Sequence, residues 1–267
     1  MKINNKRSWL TCVLLTLGYS FQAISQNYTA DDVKWAQIDR FTGNDAPFIS
    51  LRKQLESEIK KGQSPLTFYN RHLANAQKGQ VSALYLVGLS AFENWKHGTT
   101  TKRDNRKISG ETFQLMYSMP DLPQSYEFLR MRFLLTTHSG YARGLAPLGR
   151  KLLQRQPNDQ SVEFRYAYVL IESTRSKKQR EEALQFVFRL KKKYPAKNDD
   201  IRSLLSTIYM IQANLKEDPK ARAKQIAIYE ELLREYRKRP QTPRTQESIR
   251  DASLLLKSAR RKQQQGR

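Results

Sequence analysis

Cysteine is nearly missing from the sequence, since Cys12 is the only one among 267 residues. Cys12 lies in the apolar N-terminal segment that we expect to be removed, so the mature chain is expected to carry no thiol. Disulfide bonds, zinc–thiolate sites, iron–sulfur clusters and cysteine nucleophiles are therefore excluded from the candidate chemistry. Stability has to come from an apolar core, for which a chain of this length with 39% hydrophobic residues is sufficient.

Catalytic and nucleic-acid-binding motifs are also lacking. The three histidines, His72, His97 and His138, are far apart and match no metal-ligand spacing. The G-x-S-x-G motif, phosphate-cradling glycine loops and the dinucleotide fingerprint do not occur. Zinc-finger spacings and the GXXG loop of RNA-binding modules do not occur either. We therefore expect a non-enzymatic protein with no catalytic residues, no cofactor, no metal site and no specific nucleic-acid partner.

Sequence patterns typical of β-strands are also lacking. No run alternates apolar and polar residues between turn signals, and only 11 of the 267 residues are glycine. Apolar residues instead recur every three or four positions. In the segment 181–195, for example, Ala183, Val187 and Leu190 share one helical face, and Pro195 ends the pattern. The sequence therefore predicts an all-α fold.

Comparable patterns predict helices along most of the chain. They are expected over 46–61, 81–95, 126–137, 145–156, 201–215, 221–236 and 246–261. Ser64 and Pro65 are typical of a helix start, so a further helix is expected to begin there. The polar and basic run 97–107 has no periodicity and is predicted to be a loop, followed by a short helix over 111–119.

The helices recur in pairs that share a spacing of small and bulky residues. In the second helix of a pair, a small or apolar residue, a bulky residue, an apolar residue and a final proline follow one another at similar intervals. The matching positions are Ala183, Val187, Leu190 and Pro195. Leu145, Gly149, Leu152 and Pro157 match with leucine in the small position, and Gln225, Tyr229 and Leu232 match with glutamine in the small position and the proline delayed to Pro240. The pattern of the first helix is seen in Leu84, Val87, Gly88 and Ala91. Gly88 is expected to let a neighbouring helix approach closely.

On these residues the chain resembles the tetratricopeptide repeat (TPR) family over 64–240. The final prolines are 38 and 45 residues apart, whereas the family repeats about every 34 residues, so the repeats are divergent. The resemblance implies a right-handed superhelix of antiparallel helix pairs, a TPR-like α-solenoid. It also implies a concave groove, lined mainly by the first helix of each pair, that takes a peptide or a partner protein.

The chain divides into four segments on these patterns. Residues 1–25 combine a basic start, an apolar run and small residues before Gln26, which predicts an export signal and a periplasmic or extracellular protein. An uncleaved signal that anchors the chain to the membrane is the alternative. Residues 26–62 are predicted to be an N-terminal helical cap, 63–240 the repeats, and 241–267 a capping helix with a basic tail. The mature chain is not expected to span a membrane.

The expected groove provides the first set of candidate binding residues. By their position on first helices, the side chains expected to face a partner are Tyr85, Phe92, Glu93, Arg130, Arg132, Phe164, Arg165 and Tyr168. Aromatic and arginine side chains are the common hot spots of protein interfaces. The alternative is that the aromatic residues pack between helices. These residues favour an exported adaptor that binds a protein partner.

The uneven distribution of basic residues provides the second set of candidate binding residues. Residues 26–100 hold 9 basic and 7 acidic residues, whereas residues 101–267 hold 36 and 18. Such a field attracts polyanions, including acidic envelope polymers. The alternative, which is favoured for the lysine run 191–193, is that the basic residues lie on solvated helix faces and stabilise helix ends without any ligand. The candidate polyanion contacts in the predicted loop are Lys102, Arg103, Arg106 and Lys107. A polyanion-binding envelope protein is thus the alternative to the adaptor, and a purely structural helical layer is a third hypothesis.

Overall fold

The computed structural model describes residues 38–97, 100–119, 121–142 and 144–265. All regular secondary structure in these ranges is α-helical, which confirms the predicted all-α fold. The helices are α1 (Ala46–Lys60), α2 (Pro65–Gln77), α3 (Val81–His97), α4 (Lys102–Tyr117), α5 (Tyr126–His138), α6 (Ala146–Arg155), α7 (Gln160–Ser173), α8 (Lys177–Lys193), α9 (Asn198–Asn214), α10 (Ala221–Arg237) and α11 (Pro243–Gln264). No helix of the described ranges is both long and apolar enough to cross a membrane. The predicted export signal at 1–25 lies outside the described residues.

Local capping explains why several helices begin where the sequence predicts. The Ser64 hydroxyl accepts a hydrogen bond from the backbone N–H of Leu66 at 3.3 Å, with Pro65 in the first turn of α2. Ser176 and Gln179 form a reciprocal capping box at the start of α8. These bonds satisfy first-turn donors that have no acceptor within the helix, so the start of the helix is fixed by residues close in sequence.

Helix α4 departs from the predicted secondary structure. The loop predicted at 97–107 is wrong from Lys102 onward, because α4 begins there and continues to Tyr117. The Thr101 hydroxyl caps α4 by accepting the backbone N–H of Asp104 at 3.1 Å. Asn105 is buried one turn later and receives a hydrogen bond from the Asn94 amide of α3. A polar sequence is helical here because its polar groups are satisfied at a helix cap and between two helices.

The helices pack in two rows. Helices α1, α3, α5, α7 and α9 contact one another in succession, and we call them the odd-numbered row. Each even-numbered helix packs against the odd-numbered helices that flank it in the sequence, and α11 packs on α10. Because each helix contacts elements close to it in the sequence, the contacts follow the order expected of stacked helix pairs.

The apolar core extends along the rows as a series of clusters. The first joins α1 to α5 around Phe68, and the second lies among α5, α6 and α7 around Phe133. The third joins α7, α8 and α9 around Val187, and the last and smallest lies between α10 and α11 around Tyr229. Apolar burial therefore decreases toward the C-terminal end of the array.

The predicted close approach at Gly88 is confirmed. A Cβ atom placed on Gly88 of α3 would overlap the Met131 thioether of α5. The absence of a side chain at Gly88 thus allows two members of the odd-numbered row to pack at short range, at the expense of some helix propensity.

Candidate functional site

Charged and aromatic side chains from six helices lie in contact or within electrostatic range of one another around Arg165 and His138. We call this set the arginine cluster. Its members are Trp95 of α3, Arg106 of α4, His138 of α5, Arg165 and Tyr168 of α7, Asp200 of α9 and Arg244 of α11. Most of these residues are distant from one another in the sequence, so the cluster is a product of the tertiary fold.

Helix α11 completes the cluster by returning to the start of α4. The Glu247 carboxylate accepts the backbone N–H of Lys102 at 2.8 Å, and the Lys102 ammonium donates to Asp251 at 3.0 Å. A carboxylate is favourable at this position because the first-turn N–H groups of a helix carry partial positive charge and lack internal acceptors. Lys102 and Glu247 are 145 positions apart. Their contact places Arg106 and Arg244 close enough to His138 to act on its protonation.

Arg165 occupies the centre of the arginine cluster. Its guanidinium lies 4.2 Å from the ring centroid of Trp95 and 5.9 Å from that of Phe92. In the described part of the chain, no carboxylate lies within ion-pair distance of this guanidinium, and Asp200 acts on it only at longer range. Burial lowers the pKa of Arg165 to about 10. The side chain is therefore charged at neutral pH, held by cation–π contacts and without a direct counter-ion.

His138 is buried beside Arg165. Only 8% of its surface is exposed, and its ring centroid lies 5.0 Å from that of Trp95. Arg165 Nη2 is 3.5 Å from His138 Nδ1, whereas His138 Nε2 has no hydrogen-bond partner among the described residues. Burial and the positive charges of Arg165, Arg106 and Arg244 hold the pKa of His138 well below its usual value. His138 is therefore neutral at neutral pH.

Asp200 and Tyr168 supply the remaining polar groups of the arginine cluster. Asp200 is partly accessible to solvent. The surrounding protein nevertheless removes part of the water around its carboxylate, and this desolvation raises the pKa of Asp200 although the positive charges of Arg165 and Arg244 lower it. Burial, together with the charge of Glu172, raises the pKa of Tyr168 to about 12. Three guanidinium groups, those of Arg165, Arg106 and Arg244, thus act electrostatically on the neutral His138, and two of them, Arg165 and Arg244, also act on Asp200.

Several residues predicted to line the groove are instead structural contacts between helices. Tyr85 is fully buried, and its hydroxyl group donates a hydrogen bond to the Glu127 carboxylate at 3.3 Å. Phe92 is 1% exposed and lies under the Arg165 guanidinium. Arg130 Nη2 donates to Asp159 Oδ1 at 3.2 Å, and Asp159 also caps the start of α7. Tyr85 and Phe92 therefore offer no surface to a partner, and Arg130 is largely engaged by Asp159.

The other predicted groove residues have different surroundings. Arg132 is buried, and burial lowers its pKa to about 9. Glu93 pairs with Lys96 at 2.9 Å on α3. The half-buried ring of Phe164 packs against Tyr194, with a centroid separation of 5.7 Å. Of the predicted groove set, Arg165 and Tyr168 are the members that belong to the arginine cluster.

The four predicted polyanion contacts lie in the first turns of α4. Lys102 is engaged by Glu247 and Asp251, as described above, and Lys107 is 4.0 Å from Glu111. Arg103 and Arg106 are exposed. Arg106 acts electrostatically on Arg165, His138 and Tyr168 and so joins the arginine cluster. The structure therefore brings one predicted polyanion contact together with two predicted groove residues.

Sequence reasoning did not identify Trp95, His138, Asp200 and Arg244 as members of a site. Each lies in an ordinary helical context, and nothing local connects residues on different helices. One local signal was available, because Arg106 and Arg165 have no acidic residue three or four positions away to form an intrahelical pair. An arginine without such a partner is available for longer-range contacts.

Within the described ranges, no group of three or more histidine, cysteine, aspartate or glutamate side chains could hold a metal ion. Comparison of the chain with protein-family models, curated proteins and solved structures finds no match. Function is therefore inferred from the geometry of the arginine cluster and from the two rows of helices.

Proposed function

We propose that this protein is an exported, non-enzymatic adaptor that binds a protein partner through one face of a TPR-like, right-handed superhelix. The successive contacts within the odd-numbered row support this fold, because stacked helix pairs present one continuous row of helices to a ligand. The basic start and apolar run of residues 1–25 support export.

The observation that carries the proposal is the half-buried Arg165 guanidinium, which has no direct carboxylate partner in the described part of the chain. An acidic segment of a partner would provide charge-assisted hydrogen bonds, which are stronger than those between neutral groups. Trp95 and Tyr168 provide flat aromatic surfaces beside it. Arginine and aromatic side chains grouped in this way are typical of interface hot spots.

The test is a crosslinking pull-down of the tagged full-length chain from its native envelope at low and high salt. We expect the wild type to retain a discrete protein at high salt and a Tyr168→Ala variant to lose it. The matched control is Phe188→Ala on α8, which removes an exposed aromatic ring away from the cluster and is expected to retain the partner. Circular dichroism checks the fold of both variants. Equal retention by both variants, or the absence of a discrete protein, would overturn the proposal.

A polyanion-binding envelope protein is the second candidate. Its support is the excess of basic residues in 101–267, including exposed Lys191 and Lys192 at the end of α8. Electrostatic capture weakens steeply with ionic strength, whereas binding through aromatic anchors weakens much less. Recovery of acidic polymers at low salt, with nothing retained at high salt, would favour this function over the adaptor.

A further inference from the structure

We propose that Arg222 and Lys262 bind a carboxylate group of a ligand at the position that the side-chain amide of Asn214 occupies. The three residues come from the last three helices. Asn214 ends α9, Arg222 lies in the first turn of α10, and Lys262 lies in the last turn of α11. Asn214 and Asp200 lie at opposite ends of α9, so this site is separate from the arginine cluster and does not rest on the adaptor function proposed above.

One amide oxygen joins the two cations. Arg222 Nη2 donates a hydrogen bond to Asn214 Oδ1 at 2.6 Å, and Lys262 Nζ lies 3.5 Å from the same oxygen. Arg222 Nη1 donates to Gln225 Oε1 at 2.6 Å. Two positively charged groups therefore share a neutral acceptor. A carboxylate oxygen in its place would accept charge-assisted hydrogen bonds, which are shorter and stronger than those to a neutral amide.

The carboxylates nearest in sequence to this site are engaged elsewhere. In the turn between α9 and α10, Glu217 accepts a hydrogen bond from Arg180 Nε at 2.7 Å, and Asp218 pairs with Lys224 at 2.9 Å. Among the described residues, no carboxylate forms an ion pair with either cation of the proposed site. The positive charge of the site is therefore not balanced within the described part of the chain.

The ends of the helices account for only one of the two cations. Lys262 is close to the C-terminus of α11, where the terminal carbonyl groups favour positive charge. Arg222 lies at the start of α10, where the helix dipole favours negative charge and no side chain caps the helix. Arg222 is nevertheless only 7% exposed, and burial lowers its pKa. Burial and the charge of Arg222 also lower the pKa of Lys262. A bound carboxylate would stabilise both cations.

The shape and exposure of the site suit a carboxylate from solution. An amide and a carboxylate are both planar, and this chain already holds the planar carboxylate of Glu217 with two nitrogen atoms of Arg180. Asn214 is exposed and Lys262 is partly exposed, so the amide can turn into solvent and leave its position to a ligand. Arg222 Nε is enclosed, and the proposed contact is made by Nη2 instead.

The experiment is an NMR titration of the full-length chain with sodium acetate, with sodium chloride adjusted to keep the ionic strength constant. The backbone signals of Asn214, Arg222 and Lys262 are expected to shift along one saturation curve. Lys262→Gln is expected to raise the half-saturation concentration at least about fivefold, since it removes one of the two charged contacts.

Lys257→Gln is the matched control, because Lys257 is an exposed lysine of the same helix and its loss changes the net charge equally. It is expected to change the half-saturation concentration by less than about twofold. Absence of saturable shifts in the wild type would overturn the proposal. Equal weakening by the two lysine variants would also overturn it, because the effect would then reflect net charge alone.

Substitutions of Asn214 test the site with opposite signs. Asn214→Ala removes the amide that the ligand has to displace, so it is expected to tighten acetate binding. Asn214→Asp supplies a carboxylate from the chain itself and is expected to block acetate. Both changes are at an exposed position, and circular dichroism checks that the variants are folded. Undiminished binding of acetate by Asn214→Asp would show that the ligand does not bind where the amide lies.

Two peptides distinguish the sources of the carboxylate. Leu215 follows Asn214 and is 53% exposed, so it offers an apolar contact beside the site. A leucine–glutamate dipeptide with blocked ends carries one side-chain carboxylate, and the leucine–glutamine dipeptide is its uncharged control. Tighter binding of the glutamate peptide than of acetate would identify an acidic peptide, whereas equal affinities would identify a small carboxylate. Either result supports the site if Lys262→Gln weakens both ligands.

Discussion

Helices α5 and α11 are stabilised in opposite ways. Twelve of the 13 residues of α5 are buried, whereas Ala252 and Ala259 are the buried residues of the 22 in α11. Helix α5 contacts α1, α3, α4, α6 and α7, while α11 packs on α10 and reaches α4 through Lys102. Helix α5, which is more apolar and has five neighbouring helices, is thus buried on all sides, whereas the more polar α11 exposes most of its surface.

Helices α5 and α11 also differ in whether their polar side chains are buried or exposed. Contacts on all sides of α5 bury Glu127, Arg132 and His138 together with its apolar residues. Burial removes water from the charged forms of Arg132 and His138, which lowers the pKa values of both side chains. Helix α11 keeps most of its polar side chains in solvent, and it is attached to α10 by the smallest apolar cluster and to α4 by hydrogen bonds. We therefore expect α5 to be among the last elements to open and α11 among the first.

The largest expected effect is a cavity in α5. Phe133 is fully buried, so Phe133→Ala is expected to lower the free energy of unfolding by about 3–5 kcal/mol. The matched change in α11 is Leu254→Ala, where 54% of the side chain is exposed, and its expected cost is about 0.5 kcal/mol or less. Urea denaturation measures both. Similar losses for the two variants would show that α5 and α11 do not differ as the structure indicates.

A smaller effect is expected from overpacking next to α5. A Cβ atom on Gly149 of α6 would lie 2.6 Å from Tyr166 Cδ2 and 2.9 Å from Phe133 Cζ. Gly149→Ala is therefore expected to destabilise the protein by about 1–3 kcal/mol, although alanine is the better helix former. The neighbouring exposed position provides the control, Arg150→Ala, with an expected change within about 0.5 kcal/mol. A stabilised Gly149→Ala protein would contradict the tight packing of α6.

The third prediction concerns pH. The pKa of His138 is lowered in the folded protein by burial and by Arg165, Arg106 and Arg244, so the unfolded chain binds more protons just below about pH 6.5. Stability is therefore complete above that pH and declines as the pH falls through the window below it, by up to about 1.4 kcal/mol per unit.

Urea denaturation of the wild type and His138→Gln at pH 7.0 and 5.5 measures this effect. The substitution is expected to reduce the loss of stability at pH 5.5. His72→Gln is the control, because the pKa of His72 is also lowered but its side chain is only half-buried. An unchanged pH dependence in His138→Gln, or a larger effect of His72→Gln, would place the titrating group elsewhere.

The smallest expected effect is the detachment of α11 from α4. Glu247→Gln weakens the hydrogen bond to the Lys102 N–H at 2.8 Å and is expected to cost about 1 kcal/mol. Hydrogen exchange should accelerate in α11 and at the start of α4, with α5 unaffected. Glu182→Gln, which changes an exposed carboxylate on α8, is expected to leave both regions unchanged. Faster exchange throughout the chain would contradict a local role for this contact.

The secondary structure was largely predictable because its determinants are local. The start of α2 depends on Ser64 and Pro65, and the start of α8 on Ser176 and Gln179, residues that are adjacent or one turn apart. The start of α4 was not predictable in the same way. Its polar residues are stabilised partly by a contact between Asn105 and Asn94, and Asn94 belongs to another helix.

The candidate site was predictable only in part. Arg165 and Tyr168 share the face of a predicted first helix, so their common location follows from helical periodicity. Arg106 was assigned to a separate, loop-borne set of polyanion contacts, and its proximity to Arg165 depends on how α4 packs. The burial of Tyr85 corresponds to the alternative that the aromatic residues pack between helices, and periodicity alone does not decide between that alternative and a partner-facing position.

By itself, the sequence determined that this chain is helical and where most of its helices begin and end, because caps, prolines and apolar periodicity act within one or two turns. Only the tertiary structure decided which charges meet. Arg106 and Arg244 act electrostatically on His138, which contacts Arg165, and α11 reaches α4 through a contact between residues 145 positions apart. Electrostatic interactions and desolvation depend on distance in space, and the order of residues along the chain does not encode that distance directly.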